Sequence, residues 1–162
     1  DGGPMLGGQG RVALPRFFFP LVVNAYLLCL LLFGGLAGRT LPRVAVVIVA
    51  VIGLDLDLDP AAVSLGFWRY EVDGIYYGVP WTNFAGWALS ATVAVTILDG
   101  AFDRDAILAR LESCGFMLDD LVSFVILWGV INVYFGNWIP ALLAVGSGYG
   151  LWRTDRFDFP ER

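Results

Sequence analysis

The chain has 162 residues, 58% of them hydrophobic, and a net charge of −5 from 15 acids and 10 bases. A soluble domain is about 45–50% apolar, so this excess, gathered in long uncharged runs, points to a membrane protein. All ten bases are arginine and histidine is absent; with no basic patch to neutralise phosphates, nucleic acid is excluded as a partner.

Taken in chain order, residues 1–16 open with "DGGPMLGGQG", a glycine-rich stretch without a signal-peptide n-region. It is expected to be a loop, and the start at Asp1 suggests that N-terminal spans are missing. Residues 17–38 are 22 residues without a charge, long enough to cross ~30 Å of hydrocarbon as a helix. After a turn at 39–43, a second span is predicted over 42–59, ending at the Asp59-Pro60 step. Residues 80–98 form a third uncharged span. The charged loop 99–116 has a helical-looking middle, "RDAILARLESCGF". From 121 to 152 there are 32 residues without a charge, too many for one straight helix. Gly136-Asn137, with Pro140 beyond, predicts a hairpin of spans 117–135 and 137–152. A polar tail, 153–162, closes the chain.

The expected fold is therefore all-α: a single multi-pass cell-membrane domain with about five transmembrane helices and an aromatic-rich loop, 61–79, at one face. The 39–43 turn, the 99–120 segment and the tail hold seven arginines, against three on the other side. By the positive-inside rule the arginine-rich side is cytoplasmic. The acid-rich, lysine-free composition fits a salt-loving source. Cys29 and Cys114 match no metal or redox spacing, and without histidine neither zinc nor haem ligation is expected.

The chemistry concentrates in "GLDLDLDPAAV", residues 53–63. Its alternation is a strand pattern, but a lone strand in lipid would leave its backbone unpaired. An EF-hand loop is excluded, since its sixth and twelfth positions would be Pro60 and Gly66. On a helix, Asp55 and Asp59 share a face and Asp57 points elsewhere, toward water. The plain alternative is a helix end that has reached water, its acids merely solvated. Acids at a helix C-terminus oppose the macrodipole, however, and acids within a membrane are functional candidates.

Just beyond lie Trp68, Tyr70, Tyr76, Tyr77, Trp81 and Trp87, with the acids Glu71 and Asp73 and the amide Asn83. Some of these aromatics would anchor the spans at the interface. Together with the aspartates they suggest an aromatic-lined site with several carboxylates. Such a site suits acid chemistry on an apolar substrate, because a buried carboxylic acid can donate a proton near neutral pH. Aromatic faces can also stabilise a cation.

The segments "LDPAAVSLGFW" and "GIYYGVPWTNFAGW" resemble the membrane-bound CruF-type carotenoid hydratase family, including its haloarchaeal branch. The likeness covers roughly 54–92 and casts the chain as the C-terminal part of a longer protein. It implies addition of water across a terminal isoprenoid double bond of an acyclic carotenoid, giving a tertiary alcohol. In haloarchaea this would be bisanhydrobacterioruberin going to bacterioruberin. No metal or other cofactor is expected. Partners would be the lipid-soluble carotenoid, membrane lipid, and any missing spans or further copies. Asp55 or Asp59 would act as acid, with the other, Glu71 or Asp73 as base. Trp68, Tyr70, Tyr76, Tyr77, Trp81, Asn83 and Trp87 would bind substrate. One rival is a magnesium-dependent membrane prenyltransferase using Asp55/Asp59 and Asp99/Asp103, although these motifs are predicted at opposite membrane faces. Another is a non-catalytic carotenoid-binding membrane subunit.

Overall fold

The computed structural model describes residues 9–33, 38–72, 74–115 and 118–154. Among them the chain is all-α, with six helices: α1 (Gln9–Leu32), α2 (Thr40–Leu65), α3 (Trp81–Ala101), α4 (Arg104–Ser113), α5 (Asp119–Phe135) and α6 (Trp138–Trp152). α2 is the central element and packs against α1, α3, α5 and α6. Val47, Val51 and Leu54 of α2 form the core with Val22, Ala25 and Cys29 of α1, Ala91 and Val95 of α3, and Leu121 and Ala144 of the hairpin.

Several helix ends follow local rules. Gly66 and Gly136 stop α2 and α5 in the left-handed region, at φ 74° and 75°, where a side chain would be strained. The Asn137 N–H then closes on the Asn132 carbonyl at 2.8 Å, and the chain turns back into α6. The helical hairpin thus sits at the Gly136-Asn137 pair. It is drawn tight by Gly129, where a Cβ would lie 2.7 Å from the Cβ of Ala144. Small residues permit this close approach between apolar helices. α4 begins at Asp103, whose carboxylate accepts from the Asp105 and Ala106 N–H groups.

Many large apolar side chains lie on the surface. Leu89, Val93 and Ile97 of α3 recur every fourth residue and are 68%, 52% and 62% exposed. Ile126 and Val130 repeat the pattern on α5. Such outward stripes suit lipid rather than water. By length and composition α3 is a candidate span, and Phe19–Leu32 is a shorter apolar stretch.

Several expected boundaries move: α1 ends at Leu32 rather than at 38, and α3 runs on through Asp99 to Ala101 rather than ending at 98. Residues 9–16, expected as loop, are already helical, since α1 starts at Gln9. α2 does not stop at Asp59 but continues through Pro60 to Leu65, so the aromatic loop starts at 66 rather than 61.

The bundle's ends are distinct. At one, Asp99 of α3 accepts from Arg43 Nε at 3.0 Å and from the Tyr26 hydroxyl at 2.8 Å, and Arg104 donates to the Gly38 carbonyl. At the other, the Asn137 amide reaches Ser64 Oγ and the Ile139 N–H reaches the Tyr77 hydroxyl. The 39–43 and 99–104 segments therefore share an end, and the 66–80 loop lies opposite them with the hairpin turn.

Candidate active site

The continuation of α2 through Pro60 shapes the site. A proline within a helix has no N–H for the carbonyl four residues back, which here is Leu56. The Tyr76 hydroxyl donates to that carbonyl at 3.0 Å. One turn on, Ser64 Oγ donates to the Pro60 carbonyl at 2.8 Å. With the Leu56 carbonyl satisfied from the loop, the helix continues past the point where the pre-proline bias predicts its end, and Asp55, Asp57 and Asp59 are held inside the bundle. They are 0%, 1% and 2% exposed, which removes the solvated-end alternative.

The three carboxyl groups divide between two faces of α2. Asp55 and Asp59, four residues apart, lie about 40° from each other around the axis. Both meet Asn83 in the first turn of α3: its Nδ2 donates to Asp55 Oδ2 at 3.0 Å and also to Asp59 Oδ2. The Tyr70 hydroxyl adds a bond to Asp59 Oδ2 at 2.7 Å. Asp55 Oδ1 is buried without a hydrogen-bond partner among the described residues. Burial, and for Tyr70 the nearby Asp59 as well, push the Tyr70 and Tyr76 phenols above their ordinary value. Both rings therefore remain hydrogen-bond donors.

Asp57 faces the hairpin and not water. Asn132 of α5 donates to its carbonyl at 2.7 Å and to its Oδ1 at 2.8 Å. Asn137 in turn donates to Asn132 Oδ1 at 3.0 Å and to Ser64 Oγ at 3.1 Å. Sequence reasoning missed Asn132, Asn137 and Ser64 as members of this network. The available signal was the pair of amides inside an uncharged 32-residue run, since a buried amide needs partners.

The loop sorts the remaining predicted residues. Backbone bridges Gly74–Gly78 and Tyr76–Val79 fold it into a tight turn. A Cβ on Gly74 would lie 1.8 Å from the Val79 carbonyl oxygen, so only glycine fits there. Tyr76 and Tyr77 meet edge to face at 5.0 Å, and Tyr76 and Phe84 at 5.9 Å. Trp68 packs on Leu58, Ala61, Ala62 and Trp128. Trp68, Tyr70, Tyr76, Tyr77 and Asn83 thus gather around the aspartate-bearing end of α2. Three predicted residues do not join them. Glu71 is exposed, Trp81 is 75% exposed at the start of α3, and Trp87 packs into the main core with Ala91 and Val95. Asp73 lies outside the described residues.

The second aspartate pair of the prenyltransferase alternative is elsewhere. Asp99 is bonded to Arg43, and Arg43 lies twelve residues, about 18 Å, along α2 from Asp55. Asp103 is used to cap α4. The two motifs share no pocket.

A family model described as "Carotenoid biosynthesis protein" matches residues 1–151. The bisanhydrobacterioruberin hydratase of Haloarcula japonica is 56% identical over 159 residues, covering 98% of this chain and 54% of that protein. The chain thus spans about half the length of the curated relative it matches. No solved structure matches it.

Proposed function

Because this chain belongs to the carotenoid biosynthesis protein family, we propose that its aspartate pair adds water to the terminal double bonds of an acyclic carotenoid. The substrate is the one for which the 56%-identical relative is named, bisanhydrobacterioruberin, and the product is bacterioruberin. The observation that carries the reading is the buried pair Asp55 and Asp59 joined through one amide, Asn83.

The roles follow from the hydrogen bonds. Asp59 accepts from Asn83 and Tyr70 and is equipped as the base. Asp55, whose Oδ1 has no partner among the described residues, presents the proton. Asp55 protonates the less substituted alkene carbon, breaking the π bond and leaving a tertiary cation. A water oxygen bonds to that cation, and Asp59 takes the proton that the oxonium releases. One water is consumed, and the pair again holds one proton, now on the other carboxyl. The nearby rings of Trp68, Tyr70 and Tyr76 favour the cationic intermediate. The apolar outer stripes let a lipid-dissolved substrate approach from the bilayer.

The test is conversion in membranes containing the full-length protein, EDTA and isotopically labelled water. Labelled hydroxyl oxygen is expected at the carotenoid end groups by mass spectrometry. Strict dependence on magnesium and a prenyl diphosphate would replace the hydratase reading with the prenyltransferase one. A carotenoid that copurifies but is never converted would make the chain a binding subunit.

The protein is proposed to cross the cell membrane several times, with five spans in this chain and the arginine-rich end in the cytoplasm. A single cysteine at Thr154, in a background without Cys29 and Cys114, is expected to resist an impermeant maleimide in intact cells and to react after permeabilisation. Ready labelling of intact cells would invert the orientation.

A further inference from the structure

A cleft of about 410 Å³ opens between α1 and α5, and the proposed chemistry does not use it. Leu21, Phe124, Leu127 and Trp128 supply apolar and aromatic wall, and Asn24 and Asp120 supply polar wall. Those two polar side chains are hydrogen-bonded to each other at 2.7 Å. Asp120 and Trp128 are eight residues apart on α5, so this wall runs about 12 Å along the helix.

Beyond the Trp128 end, packed side chains lead toward the aspartates. Trp128 stacks at a tilt on Phe124, with centroids 6.2 Å apart, and meets Phe67 edge-on at 6.4 Å. Its indole packs on Leu58, Ala61 and Ala62 of α2, where Trp68 joins it. Leu58 is the residue before Asp59, and Tyr70, two residues after Trp68, is bonded to Asp59. Aromatic side chains thus extend from the cleft wall at Phe124 and Trp128, through the apolar cluster that Trp68 joins, to within two residues of the Tyr70 that bonds the proposed base.

We propose that this cleft is the track on which the conjugated chain of the substrate lies while its reacting end reaches Asp55 and Asp59. The occupant's identity rests on the hydratase reading; the track itself rests on the cleft and these aromatic side chains. Ring faces and edges offer a flat conjugated chain offset-stacked and edge-on contacts that a flexible saturated acyl chain cannot fully match. The volume falls within the range of ordinary ligand pockets and takes one stretch of a long polyene. The remainder would lie in lipid, past Leu127, which is 54% exposed.

The experiment titrates the full-length protein, in lipid nanodiscs with EDTA, with bisanhydrobacterioruberin. Binding is read as induced visible circular dichroism and as quenching of tryptophan emission, and label incorporation from isotopic water is followed in the same samples. Lipid is in large excess, so a cleft that prefers acyl chains gives no induced signal and overturns the proposal. Ser123→Trp, which fills the cleft, is expected to weaken binding by about tenfold or more. Ser123→Ala, which leaves it open, and Ile126→Trp, on the outward face of α5, should bind like the parent. Wild-type affinity in Ser123→Trp, or equal loss in Ile126→Trp, also overturns the track. Binding through the cleft without label incorporation sinks the hydratase reading alone. Label incorporation that Ser123→Trp leaves untouched sinks the track alone.

Discussion

Asp55→Asn and Asp59→Asn are each expected to lower the hydration rate by about 10²–10⁴-fold, the usual contribution of a positioned acid or base. Both substitutions keep shape and a hydrogen-bonding oxygen, so Asn83 can still donate to either position. What they remove is the ability to give or take a proton. Asp57→Asn serves as the internal control. It lies on the other face of α2, where an amide oxygen can still accept from Asn132, and its rate should fall far less. The measurement is initial rate of labelled-hydroxyl formation per folded protein, with helicity checked for each variant. If Asp57→Asn were the most damaging of the three, the acid–base centre would lie toward the hairpin, and the Asn83 pair would be structural.

Asn132→Leu is expected to cost about 3 kcal/mol or more in stability. Its amide holds both the carbonyl and the carboxyl of Asp57, and its oxygen accepts from Asn137. Removing it strands several buried polar groups at once, each worth about 1–3 kcal/mol when left unpaired. Asn132 is 0% exposed, so water cannot readily replace it. A double-mutant cycle distinguishes this network from simple packing. With Asp57→Leu already in place, Asn132→Leu should cost clearly less than it does alone, a coupling of about 0.5–3 kcal/mol. Additive losses in thermal or denaturant unfolding of the detergent-solubilised protein would show that Asn132 acts only by its volume.

The two predictions draw on different amounts of sequence information. The pairing of Asp55 with Asp59 follows from the helical repeat once the segment is read as helix, and Asn83 was already a candidate as an amide within an apolar run. The partnership of Asp57 with Asn132 joins residues 75 apart, and nothing local to either announces it. Glu71 and Trp81 were grouped with the site because they are near it in sequence, yet the structure exposes both. Composition cannot say which side of a loop faces the bundle.

What the sequence determined by itself is the set of local and additive properties. Uncharged runs separated by glycine, proline and charge gave the helices and the Gly136-Asn137 hairpin, because hydrophobic transfer and capping depend on a residue and its near neighbours. What only the tertiary structure decided is the fate of Pro60. Judged locally, the proline ends α2 and leaves three aspartates at a helix terminus. In the folded chain the Tyr76 hydroxyl satisfies the Leu56 carbonyl that the proline cannot, while Asn83 and Asn132 approach from α3 and α5 to meet the carboxyl groups. A buried polar group is tolerated only where its partners arrive, and those partners are brought together by packing of the whole bundle.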